Sequence, residues 1–174
     1  MKTRTVSSAT ELDALVQSVT ASATKALAQI AKLGSDGLRA IWSMKFEPVG
    51  CDPLDSESPL NLIEQLNQSF TYIASARATK ILIARHPDLV PFTLNLGTVG
   101  GSDIESKAGV GVAAEVFAAV NTSNNRKLAN DIAKVAATAA GFKYVFFMCP
   151  GYEEGHQTKL SPSGVEVWSV GAAM

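Results

Sequence analysis

The chain has 174 residues, 47% of them apolar and 18% charged, with a formal net charge of −1. That length and apolar content suit one folded domain with a real core and exclude an intrinsically disordered chain. The near-neutral balance excludes a globally basic nucleic-acid binder, although a local basic patch would suffice for such a partner.

Ser8 or Thr10 can cap a first helix that runs to about Leu33, with Leu12, Leu15, Val16, Val19, Ala23, Ala26, Leu27 and Ile30 on one stripe. Gly34 and Gly37 stop it. The next segment, "LRAIWSMKF", is short and apolar, and its pattern does not distinguish strand from helix. "EPVGCDPLDSESP" reads as a loop rich in turn formers. Pro59 then opens a long helix to about Arg85, with Leu62, Ile63, Leu66, Phe70, Ile73, Ala74 and Ile81 as its buried face.

Three strands are expected next: "FTLNLG", a short "SDIES", and "VGVAAEVFAAV". A polar turn from Asn121 to Asn125 leads into the helix "NNRKLANDIAKVAATAAG". "KYVFFMCPG" is a buried strand without alternation, Gly151 to Ser163 is a loop, and "GVEVWSV" is a last strand. The strand–helix–strand portion favours a parallel neighbour pair. The expected fold class is α/β, a mixed central sheet flanked by helices. One domain over 1–174 is expected, with residues 1–58 as an N-terminal helix and loop extension of a core over 59–174.

The two cysteines, Cys51 and Cys149, have no paired spacing, so two buried free thiols are expected rather than a disulfide framework or a zinc knuckle. The N-terminus lacks the apolar run of a signal peptide, and no apolar stretch reaches spanning length. The expectation is a cytoplasmic protein with no membrane partner.

The chemistry concentrates in "GSDIESKAGVGVAAEVFAAV". A hairpin turn centred on Gly109 sets Asp103 opposite Glu115. Facing side chains in an antiparallel pair lie roughly 4.5–5.5 Å apart on one face of the sheet. Two like charges so placed repel, and a hard divalent cation reverses that sign. Gly111, Ala113, Glu115, Phe117 and Ala119 share this face, where small residues leave room for a ligand. Val110, Val112, Ala114, Val116, Ala118 and Val120 share the other, which reads as core against a helix. Lys107 falls near the turn on the Asp103 face. The bland alternatives stand beside this reading: Asp103 as a turn residue, and Glu115 on a solvated edge or paired with a lysine.

An acid at a glycine-rich turn, a hairpin, a second acid midway along the next strand, then a helix and a strand: this order resembles the PD-(D/E)XK, or restriction-endonuclease-like, nuclease superfamily. The resemblance implies an αβββαβ core over the last two-thirds of the chain. It implies magnesium or manganese held by Asp103 and Glu115, with Glu64 from the preceding helix as a further ligand. The superfamily's motif lysine falls at Phe117, which departs from the pattern. Lys127 on the following helix and Lys107 on the hairpin are the candidates to replace it. The reaction implied is metal-dependent hydrolysis of DNA phosphodiesters, in a restriction or defence enzyme that works as a homodimer. Asn124 and Arg126 at a helix N-terminus, and Gln68 on a polar stripe of the long helix, are the candidate binding residues. Phe117 also supports a catalytically silent interaction module that keeps the fold, and the mild negative charge supports an α/β domain with no nucleic-acid role.

Overall fold

A computed structural model describes residues 2–97 and 100–173. The chain divides into two compact units, Met1–Leu12 with Ala74–Met174, and Asp13–Ile73. Two long helices, α1 (Ala9–Ile30) and α3 (Leu62–Arg85), each begin in one unit and end in the other.

The larger unit is built on a seven-stranded mixed sheet, and its helices flank it. The strands are β1 (Thr3–Val6), β4 (Phe92–Asn95), β5 (Ile104–Ser106), β6 (Val112–Ala118), β7 (Phe142–Met148), β8 (Gly155–His156) and β9 (Glu166–Ser169). Their spatial order is β1-β4-β5-β6-β7-β9-β8. β4, β5 and β6 run antiparallel in sequence, whereas β6 and β7 are parallel neighbours joined through α4 (Lys127–Ala136).

Helices cover both faces of the central strands. On one face Ala113 and Phe117 of β6 and Val145 and Phe147 of β7 pack with Leu128, Ile132 and Val135 of α4. On the other, the end of α3 meets Tyr144: the Tyr144 hydroxyl lies 2.8 Å from His86 Nε2, and Arg85 stacks over Trp168 and binds Glu166. Strands buried on both sides need no alternation, which is why "KYVFFM" reads as a continuous apolar run.

The smaller unit contains the rest of α1, the helix α2 (Gly37–Phe46), the hairpin β2 (Gly50–Asp52) with β3 (Asp55–Leu60), and the start of α3. Asp36 caps α2 by accepting from the Arg39 amide, which settles "LRAIWSMKF" as helix. At α1, Ser8 and Glu11 form a reciprocal capping box.

The structure corrects the sequence reading in four places. Thr3–Val6 is an edge strand, and only Val6 of it is buried, so it carries no local pattern. "EPVGCDPLDSESP" holds the β2–β3 hairpin, whose prolines and acids hide it. Pro59 lies in β3, where a two-stranded sheet tolerates it, and Asn61 instead caps α3 by accepting from the Glu64 amide. The buried face of α3 is turned from the expected one. Gln65 and Tyr72 are buried, while Ile63, Leu66 and Phe70 are exposed. Gln65 is satisfied inside, accepting from the Cys51 amide and donating to Ser22 Oγ. Both cysteines are buried and free. Among the described residues no helix is long and apolar enough to cross a membrane.

Candidate functional site

The site lies wholly in the larger unit, where the β5–β6 hairpin meets α4. The hairpin pairs Ile104 with Ala114, Glu105 with Ala113 and Ser106 with Val112. That register centres on Gly109, whose φ of +56° suits glycine in the turn. Continuing it by one residue sets Asp103 opposite Glu115, as the sequence requires. The Asp103 carboxylate is fixed there by accepting from the Val116 amide at 2.8 Å.

Glu115 is 1% exposed. Its cation comes from α4: Lys134 Nζ stands 2.7 Å from Glu115 Oε2. About two turns earlier on that helix, Lys127 Nζ stands 2.7 Å from Oδ1 of Asp131, itself buried. Two buried carboxylate oxygens, Glu115 Oε1 and Asp131 Oδ2, have no hydrogen-bond partner among the described residues.

The electrostatics follow from this crowding. Burial pushes Asp103, Glu115 and Asp131 all above their ordinary carboxylate range, against the opposing pull of their hydrogen bonds and of the lysines. For Lys134, burial pulls downward, but the Glu115 hydrogen bond and the surrounding carboxylates hold it above its ordinary value. With all groups ionised, three carboxylates face two ammonium groups, leaving an excess of negative charge at buried oxygens.

A cleft of about 530 Å³ opens beside this cluster. Glu105, Lys107, Gly109, Val112, Lys134 and Thr138 are among its walls. Lys134 therefore belongs to both features, bonded to Glu115 and bordering the cleft. No family model, curated protein or solved structure matches this chain.

The structure brings together Asp103 and Glu115. It places Lys107 on the cleft wall, exposed, and pairs Lys127 with Asp131 rather than with either predicted acid. The ammonium that reaches Glu115 is that of Lys134. Asn124 and Arg126 lie exposed in the 3-10 turn before α4, and Arg126 sits at the helix start in the left-handed region with no side-chain cap. Asn121 organises that turn, accepting from the amide and hydroxyl of Ser123. Glu64 is exposed on the first turn of α3, and Gln68 accepts from the Tyr72 hydroxyl; both belong to the smaller unit, and the cluster is built without them.

Two features depart from the expected surface. The Glu115 face of β6 is not open: Phe117 stacks on Phe147 with centroids 5.9 Å apart, beneath α4. Asp131 and Lys134 complete the cluster, yet neither is among the expected site residues; the Lys134–Glu115 pair is the lysine pairing that stood as an alternative for Glu115. Their signal is present in α4. Asp131 interrupts an apolar face of Leu128, Ile132 and Val135, and Lys127, Asp131 and Lys134 recur at helical spacing.

Whether a metal fits is decided by the donor set. Among the described residues no three His, Cys, Asp or Glu side chains gather as a metal cage. Magnesium needs fewer, since it keeps its waters and binds through one or two carboxylates plus substrate phosphate. Asp103 and Glu115, with an unpartnered buried oxygen on Glu115, suit that mode.

Proposed function

We propose that this protein hydrolyses DNA phosphodiesters with the help of magnesium or manganese, as an endonuclease of restriction or defence type on a restriction-endonuclease-like core. The order α3-β4-β5-β6-α4-β7, with β6 and β7 parallel, supports that core. One observation carries the reading: Asp103, just before β5, falls opposite Glu115 of β6 when the hairpin register is extended by one residue, and the Lys134 ammonium lies 2.7 Å from the second.

In this reading Asp103 and Glu115 hold the ion. A bound divalent ion supplies Lewis-acid polarisation of the phosphodiester and offsets charge on its leaving oxygen. The chain's own residues do the rest. The Val116 amide fixes the orientation of Asp103. Lys134, half exposed, turns its ammonium from Glu115 toward a phosphate in the cleft and stabilises the negative charge that grows there. Lys107, on the same cleft, adds a second cation for the DNA backbone.

The test is cleavage of plasmid and oligonucleotide DNA with magnesium or manganese. Cleavage by the natural chain, lost in both Glu115→Ala and Lys134→Ala, is expected. Magnesium should also raise the melting temperature of the natural chain and not of Glu115→Ala. Absence of both cleavage and a magnesium-dependent thermal shift would sink the proposal. A second reading has its own support. Phe117 fills the motif lysine's place with core, which suits a silent nuclease-like module that binds protein or nucleic acid. A thermal shift without cleavage favours that reading.

A further inference from the structure

Asp131 is the buried acid that the proposed chemistry leaves without a task. It is 3% exposed and interrupts the face of α4 that Leu128, Ile132 and Val135 press onto the sheet. Its Oδ1 accepts from Lys127, and its Oδ2 is buried with no hydrogen-bond partner among the described residues. The ion pair does not account for the acid. The Lys127 side chain is 45% exposed and keeps its ammonium in water without help, whereas burying a carboxylate costs more than a half-exposed partner returns. Its position in the cluster follows from the packing. Lys127, at the start of α4, lies 6.0 Å from the centroid of the Phe117 ring, and Lys134 bonds Glu115. Asp131 falls between them, one turn before Lys134 and on the same side of the helix. Burial raises the pKa of Asp103 and of Glu115, and the charge of Asp131 adds to that in both. Glu115 Oε1 is the second buried oxygen without a partner. Buried carboxylate oxygens are nearly always bonded, to protein, to water or to an ion.

We infer that Asp131 is a third carboxylate of the divalent-cation site, a positioning residue that accepts through Oδ2 from a water the ion keeps. The inference rests on the proposal that Asp103 and Glu115 hold magnesium. Direct ligation by all three acids does not fit, because among the described residues no three such side chains gather as a cage. Contact through water does fit. Magnesium dehydrates reluctantly and keeps several waters, each with protons to donate. Lys127 occupies Oδ1, so Oδ2 is the oxygen left to receive them. Glu115 is divided in the same way, with Oε2 on Lys134 and Oε1 left over. Groups that hold a metal's ligands from the next layer set its affinity by roughly 10–100-fold.

Calorimetric titration of the full chain with magnesium tests it. In Asp131→Asn the single oxygen stays on Lys127 and an amide donor replaces Oδ2. This variant should keep its circular dichroism spectrum and bind magnesium about tenfold or more weakly. Lys127→Met breaks the same ion pair but leaves the carboxylate, and should bind magnesium at least as tightly as the natural chain. An acid kept only for its ion pair behaves otherwise: both variants lose stability and neither loses affinity for magnesium. Carbon-13 NMR of the natural chain gives an answer without a variant. The Asp131 carboxyl carbon should shift on magnesium addition together with those of Asp103 and Glu115. Asp131→Asn binding as tightly as the natural chain overturns the inference and leaves the nuclease reading standing. So does an Asp131 carboxyl resonance indifferent to magnesium, which decides the matter if the variant does not fold. Magnesium binding weakened by Asp131→Asn in a chain that cleaves no DNA upholds the inference and overturns the nuclease reading. A natural chain that takes up no magnesium overturns both.

Discussion

Lys134 reaches from α4 down to Glu115 on the face of β6 that the helix covers, and its ammonium lies 2.7 Å from Oε2 of a carboxylate that is only 1% exposed. The lysine is half exposed and the glutamate is not, so the two partners differ in what their loss costs. Lys134→Met leaves a buried acceptor without its cation, an expected loss of about 1–3 kcal/mol in urea unfolding. Glu115→Leu removes the buried charge altogether and should cost less, or stabilise. In the double variant the cost of Lys134→Met should largely vanish. Strict additivity of the two changes would show that the pair is not coupled.

The three raised acids fix a sign for the pH dependence. An acid whose folded pKa lies above its unfolded value holds its proton more tightly when folded. Its contribution is therefore full below the ordinary values of 3.8 for Asp and 4.5 for Glu, and is lost as pH rises through the folded values. Acidification from neutrality toward about pH 4.5 should stabilise the cluster. His86 works the other way over part of that interval, because burial and Arg85 hold its pKa below the ordinary 6.5. The clean measurement is thus a difference. The melting temperature of the natural chain relative to Glu115→Gln or Asp131→Asn should rise as pH falls from 7 to 5. A constant difference would rule out this account of the cluster.

In the smaller unit the β2–β3 hairpin hangs on one buried glutamine. A Cβ built on Gly50 would collide with Gln65 Oε1, the oxygen that accepts from the Cys51 amide. Gly50→Ala must push Gln65 aside and leave that amide unpaired, at about 1–3 kcal/mol. Gly37, at the start of α2, meets nothing within 4 Å and has no positive φ, so Gly37→Ala should be neutral or slightly stabilising. Equal effects of the two substitutions on the thermal midpoint would contradict this packing.

The contrast between these sites shows what a sequence can carry. The hairpin register is legible because Asp103 and Glu115 are equidistant from Gly109, and a turn converts symmetry in sequence into opposition in space. Which face of β6 the helix covers is not legible from its small residues, because both faces are buried. The large ring of Phe117 marks the covered side. Choosing Lys134 over Lys127 needs the position of α4 along β6, and that depends on a 3-10 turn with two left-handed residues, Asn125 and Arg126. Nothing short-range encodes it. The β2–β3 hairpin is obscured for another reason: its pairing is held by Gln65, outside the paired segments.

Phe117 offers the sharpest test of how the cluster is divided between chemistry and core. The ring is 4% exposed, stacks on Phe147, and lies 6.0 Å from the ammonium of Lys127. Restoring a lysine to the motif position by Phe117→Lys removes this ring from the core, at about 3–5 kcal/mol. It also sets a second ammonium beside Lys127, whose partner Asp131 is already engaged. The variant should unfold at markedly lower denaturant and show no gain in DNA cleavage, whereas Phe117→Leu should recover most of the stability. If Phe117→Lys kept its stability and cleaved faster, the ammonium of Lys134 would not be serving the site, and the assignment of the lysine to α4 would fall.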